Sequence, residues 1–115
     1  MENQELEKSQ AFVIVEILGY LPNSVLIKTI VRKTTGNVTA VSFDTGAAIK
    51  EKSSPFDTLI QIIEGTGEIV IGGRASSLKT GQSIIIPAHA RNSIKALERF
   101  KMISTVIKSG YEELV

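Results

Sequence analysis

The sequence predicts an all-β domain in which two antiparallel sheets pack as a sandwich or barrel. Three observations predict it. Short runs rich in Val, Ile and Thr recur along the chain, at residues 25–32, 38–43, 58–63 and 100–107 among others. Turn residues separate these runs about every 8–12 positions, the spacing of a sandwich or barrel. No heptad repeat, low-complexity tract or internal linker breaks the pattern.

Taken in order, residues 1–10 are polar and read as a flexible arm on the single domain 1–115. Residues 11–21 are apolar enough to be ordered, as a strand or a short helix; periodicity does not separate the two in so short a run. Pro22-Asn23 marks a turn. Residues 25–32 form a strand, Thr34-Thr35-Gly36-Asn37 a hairpin turn and residues 38–43 the returning strand. Asp44-Thr45-Gly46 turns again, and Lys50-Glu51-Lys52 reads as a solvated loop. Residues 58–63 are a strand interrupted only by Gln61. Gly65-Thr66-Gly67 is expected to turn the chain into residues 68–71; no helix follows it, so it is not a phosphate-binding loop. Gly72-Gly73 is a two-residue hairpin signal leading to residues 75–78, and Lys79-Thr80-Gly81 turns once more. Residues 83–86 end at Pro87, which has no N–H for a ladder. Residues 93–97 and 100–107 complete the set.

Two of these runs, Leu59-Ile60-Gln61-Ile62-Ile63 and Ile84-Ile85-Ile86, are apolar on both sides. A strand of that kind is buried on both faces. One face enters the core; the other needs a cover, either residues 11–21 or a second subunit. A homodimer is therefore expected.

Composition bounds the function classes. A chain of 115 residues holds one core without covalent staples. Its net charge of +1 and the lack of a basic patch argue against nucleic acid as a partner of this domain alone. Cysteine is absent, which removes disulfides, thiolate metal sites and a Cys nucleophile, and suits a cytoplasmic location. The polar, acidic opening residues are unlike a signal peptide, and no apolar run approaches the roughly 18 residues that span a bilayer.

Two glycine-bounded blocks carry a resemblance. The first runs from Gly46 to Gly65 and the second from Gly81 through Pro87 to Ala96. Their spacing resembles the paired motifs of the cupin superfamily, Gly-x5-His-x-His-x3,4-Glu-x6-Gly and Gly-x5-Pro-x-Gly-x2-His-x3-Asn. The resemblance implies a single cupin-like jelly-roll barrel and the family's dimeric habit. It also places the four metal-ligand positions on Lys52, Ser54, Thr58 and Asn92, with His89 at the motif's Gly and Ala96 at its final Asn. An amine, two hydroxyls and an amide are poor ligands for a divalent transition ion, which prefers imidazole, carboxylate or thiolate. The expectation is a kept scaffold with a dismantled metal site and no cofactor.

The candidate cavity residues are thus Ser54, Thr58, Asn92, Lys52 and His89. Strand alternation puts Thr58, Ile60 and Ile62 on one face and Gln61 on the other. The polar members are either core groups bonded to backbone or the walls of a hydrogen-bonding pocket. His89, the only histidine, is either a plain loop residue or a rim group that meets a ligand or moves a proton. Asp57 could pair with Arg91 or Lys52, or simply open its strand.

Three functional readings follow. The first is a metal-free barrel that binds an unidentified small molecule or serves in sensing or interaction. The second is a metal-free isomerase or epimerase acting on a small polar or sugar-like substrate; only Lys52, His89 and Asp57 could be recruited for its proton transfers. The third is a divergent metalloenzyme relying on Asp57, Glu51 and Glu64. No catalytic residue is assigned.

Overall fold

The computed structural model of the chain describes residues 5–108. Nine strands form two antiparallel sheets: β1 (Val25–Lys33), β2 (Gly36–Phe43), β3 (Ala48–Lys52), β4 (Asp57–Glu64), β5 (Thr66–Ile71), β6 (Arg74–Lys79), β7 (Ser83–Ile86), β8 (Asn92–Lys95) and β9 (Phe100–Ile107). The five-stranded sheet runs β1-β2-β9-β4-β7 and the four-stranded sheet β3-β8-β5-β6. The all-β jelly-roll expectation holds.

The core lies between the sheets and comes from alternate residues: Val41 and Phe43 of β2, Ile60 and Ile62 of β4, Phe100 and Met102 of β9, facing Ile69, Leu78 and Ile94. Phe43 and Phe100 are fully buried and stack with ring centroids 4.5 Å apart, 5° from parallel. Each such side chain contributes about 1.5–3 kcal/mol through burial.

Several elements differ from the sequence reading. Residues 50–52 are not a loop: they end β3, whose backbone pairs with β8 at Ala48↔Lys95, Ile49↔Ile94 and Lys52↔Asn92 while most of its side chains stay solvated. A strand at a sheet edge can be this polar because the ladder, not side-chain burial, holds it. The β1–β2 loop is Thr34-Thr35 alone, since Gly36 already pairs with Lys33. Gly65, at φ +84°, is the only residue between β4 and β5; Gly67 sits inside β5. Gly72 (φ +56°) and Gly73 (φ +84°) form the expected two-residue hairpin.

Residues 11–21 are irregular apart from one 3₁₀ turn, Ile14–Glu16. They lie on the outer face of the five-stranded sheet, where Leu18 is buried with Ala40 and Ile103, and Ile14 and Ile17 pack beside them. Three polar contacts fasten this strap. Ser42 Oγ donates to Gly19 O at 2.7 Å, Lys101 Nζ donates to Val15 O at 2.6 Å, and Tyr20 Oη donates to Glu64 Oε2 at 2.5 Å. The Arg99 guanidinium lies 4.6 Å from the Tyr20 ring centroid and bonds Asp44 at 3.0 Å. The strap therefore supplies the local cover over part of the sheet, whereas Ile85 and Ile107 are 61% and 54% exposed. Of the arm expected over residues 1–10, positions 1–4 lie outside the described residues. Leu6 N–H donates to Ile30 O at 3.2 Å and the Glu5 carboxylate accepts from Arg32 N–H, so this end lies against β1.

Candidate functional site

Residues of both sheets line a cavity of about 150 Å³. Each of its polar groups is placed by a separate element. Lys52 ends β3, opposite Asn92 at the start of β8. Ser54 belongs to the loop from β3 to β4, and Thr58 is the second residue of β4, one alternation step from buried Ile60. Lys52, Ser54, Thr58 and Asn92 all line the cavity. Four of the five candidate cavity residues thus lie together.

His89 is the exception, absent from the residues lining the cavity. It sits in the β7–β8 loop at φ +71°, and its backbone N–H donates to Ser54 O at 2.6 Å. Asp57 is a tether in the same corner: its Oδ1 accepts from Ala88 N–H at 2.8 Å. Arg91 pairs with Glu51, at 3.7 Å between two exposed side chains, and Glu64 serves the strap through Tyr20. The three carboxylates considered as metal ligands are thus spread over different parts of the molecule.

The sequence reading missed Thr39 and Ser104, which face each other across β2 and β9 in the cavity wall. It also missed Ile27 and Phe56. Alternation along β9, from buried Phe100 and Met102 to Ser104, is the signal that finds Ser104. The remaining wall is apolar, with Ile60, Ile86, Ile94 and Met102.

Asn92 is the most constrained polar group. It is 4% exposed, and its Nδ2 donates to Lys52 O and Ala90 O, each at 3.2 Å. Two carbonyl partners fix which end of the amide is nitrogen. The Oδ1 atom is left buried without a partner. Such a buried acceptor costs about 1–3 kcal/mol unless something donates to it. Lys52 makes no ion pair among the described residues, and no carboxylate or imidazole is among the described residues lining the cavity. The cavity is apolar over most of its wall, with the hydroxyls of Ser54, Thr58, Thr39 and Ser104 and the Asn92 amide; Lys52, which also lines it, is solvent-exposed.

These donors do not fit a divalent transition ion. An ammonium repels a cation, and hydroxyl and amide oxygens are weak substitutes for imidazole or carboxylate. Among the described residues no three His, Asp, Glu or Cys side chains lie close enough to hold one.

No protein-family profile and no curated protein matches the sequence. Solved structures do match. A conserved protein of unknown function from Streptococcus pyogenes superposes with a TM-score of 0.87 at 26% identity, over 96% of each chain. A cupin superfamily protein from Desulfitobacterium hafniense gives 0.84 at 21% identity, over 93% of this chain and 98% of that one. A cupin 2 conserved barrel domain protein from Leptotrichia buccalis gives 0.81 at 26% identity, over 84% of this chain and 47% of that one.

Proposed function

We propose that this chain, a small single-domain barrel of the cupin type, binds a small polar organic molecule between its sheets, without a transition metal. The observation that carries this reading is the recess of about 150 Å³ between the sheets, in which apolar Ile60, Ile86 and Ile94 are joined by the polar Ser54, Thr58, Thr39 and Ser104. Polar groups gathered in an apolar recess are the usual construction of a small-molecule site.

The test is native mass spectrometry and elemental analysis of protein purified without chelator. The expected result is an organic adduct released on denaturation and no stoichiometric transition ion. A stoichiometric ion, or a cavity that retains and accepts no organic molecule, overturns the reading.

The isomerase alternative is weaker. It needs a second proton-transfer group beside Lys52, and the described lining offers none. Self-association is proposed through the outer face of the five-stranded sheet, where Ile85 and Ile107 stay exposed beyond the strap. Sedimentation is expected to give twice the 12.5 kDa chain mass. A monomer at every accessible concentration removes that proposal.

A further inference from the structure

We infer that the binding site continues out of the cavity across the inner face of the five-stranded sheet, and that it takes an elongated organic anion whose charged end lies at Arg32. This rests on the binding reading above and names its ligand class.

The strand register draws the path. Residues paired across neighbouring strands share a face of the sheet. One inward row runs from Ile86 of β7 and Thr58 of β4, through Val106 of β9 and Asn37 of β2, to Arg32 of β1. The row beside it carries Ile60, Ser104, Thr39 and Thr29. Thr58, Ile60, Ser104 and Thr39 line the cavity. Thr39 also lines a second recess of about 120 Å³, with Thr29, Asn37 and Arg32. That shared residue makes the two recesses neighbours. Thr58 and Arg32 stand three inter-strand steps apart, roughly 14 Å between their backbones.

A bulge puts the guanidinium in this row. Thr29 pairs with Thr39 but Val31 with Val38, so Ile30 is an extra residue in β1. Without it, alternation from Ile27 and Thr29 would bring Val31 to the inner face and turn Arg32 away. With it, Arg32 stands opposite Asn37. Arg32 is exposed and water already solvates it, so the bulge fixes a place and not a need for charge. A carboxylate or phosphate that arrives along the hydroxyl row meets a planar fork able to bind it through two bonds.

The surrounding charge has the same sign. Lys33 and Lys108 line the shallow depression beyond Arg32, and no carboxylate is among the described residues lining it. The Glu5 carboxylate is engaged by the Arg32 backbone N–H and by Lys8. At the other end, Ile60, Ile86 and Ile94 receive an apolar body, of about the size of benzene in a cavity of this volume.

The test is NMR titration of the intact chain with phenylacetate, phenylpropanoate, phenylbutanoate and phenylpentanoate, each against its primary amide. Phenethyl phosphate is run against phenethyl alcohol, which separates a phosphate-reading end from a carboxylate-reading one. The phosphate, or an acid of one chain length, is expected to bind at least about fivefold tighter than its neutral counterpart. Arg32→Gln is expected to erase that preference. So is the paired change Val31→Arg with Arg32→Val, which keeps the net charge and moves the guanidinium to the other face. If the paired change unfolds the chain, Arg32→Gln alone decides.

Equal affinity within every pair overturns the inference while the binding reading stands. So does a preference that is the same at every chain length, or one that survives Arg32→Gln. Silence from all probes overturns it too when the purified protein still yields an organic adduct. Silence together with no adduct overturns both.

Discussion

Gly67→Ala is the sharpest probe of how this barrel closes. Gly67 lies within β5, and an added Cβ would sit 2.6 Å from two ring atoms of Phe100. Ordinary carbon contacts are about 3.5–4.0 Å, so the ring would have to retreat by about 1 Å. It has little room to move: Phe100 is fully buried and its ring is stacked on Phe43 at 4.5 Å. Overpacking of this kind costs about 1–3 kcal/mol, and a rigid obstacle puts it near the top of that range. For a domain of this size that is a fall in Tm of roughly 10 °C. Phe100→Leu alone is expected to cost on the order of 2 kcal/mol through lost packing. The two substitutions should not add, because the smaller side chain vacates the space the methyl needs. Urea unfolding of both single variants and the double is expected to give a coupling of at least about 1 kcal/mol in favour of the double. Additivity to within about 0.5 kcal/mol would mean that the two residues do not oppose each other as described.

Three further outcomes follow from the strap and its anchors. Ser42→Ala removes the hydroxyl that donates to Gly19 O in a fully buried setting; stability is expected to fall by about 1 kcal/mol, with faster amide exchange confined to the strap. Burial, and then the bond to Glu64, push the Tyr20 phenol above its ordinary range. The unfolded chain therefore releases that proton first, so stability declines as pH rises past about 10. Tyr20→Phe is expected to flatten that alkaline decline in chemical-denaturation curves; an unchanged slope would refute the assignment. The Asn23 backbone N–H, and then the Arg99 guanidinium, hold the Asp44 carboxyl below the usual carboxylate range. Its contribution is complete above about pH 4 and is lost as pH falls through the depressed native value. Asp44→Asn is expected to lower stability near neutrality and to shrink the difference from the parent chain in acid.

The sequence carried the barrel because turn glycines and β-branched runs are local signals, and Gly72-Gly73 and Ser83–Ile86 fell where they were expected. It could not carry β3, because Lys50-Glu51-Lys52 has the composition of a loop and becomes a strand only through a partner 40 positions away. Gly67 was taken for a turn residue; its reason for being glycine is the approach of Phe100, a contact invisible without the tertiary structure. Motif spacing brought Lys52, Ser54, Thr58 and Asn92 to one cavity, since register along paired strands preserves spacing. His89 fell outside because a left-handed loop residue obeys no strand alternation. The strap's role was left open between two covers because a short apolar run says that it must be buried but not against what.

The corner made by His89 N–H on Ser54 O and Ala88 N–H on Asp57 Oδ1 fastens the β3–β4 loop to the β7–β8 loop. Parting the chain there requires breaking both bonds. Ile27 belongs to β1, at the edge of the five-stranded sheet. There it lines the cavity while 58% exposed. A bulkier or charged side chain at Ile27 would therefore reshape a solvent-facing part of the cavity wall without removing either bond between the loops.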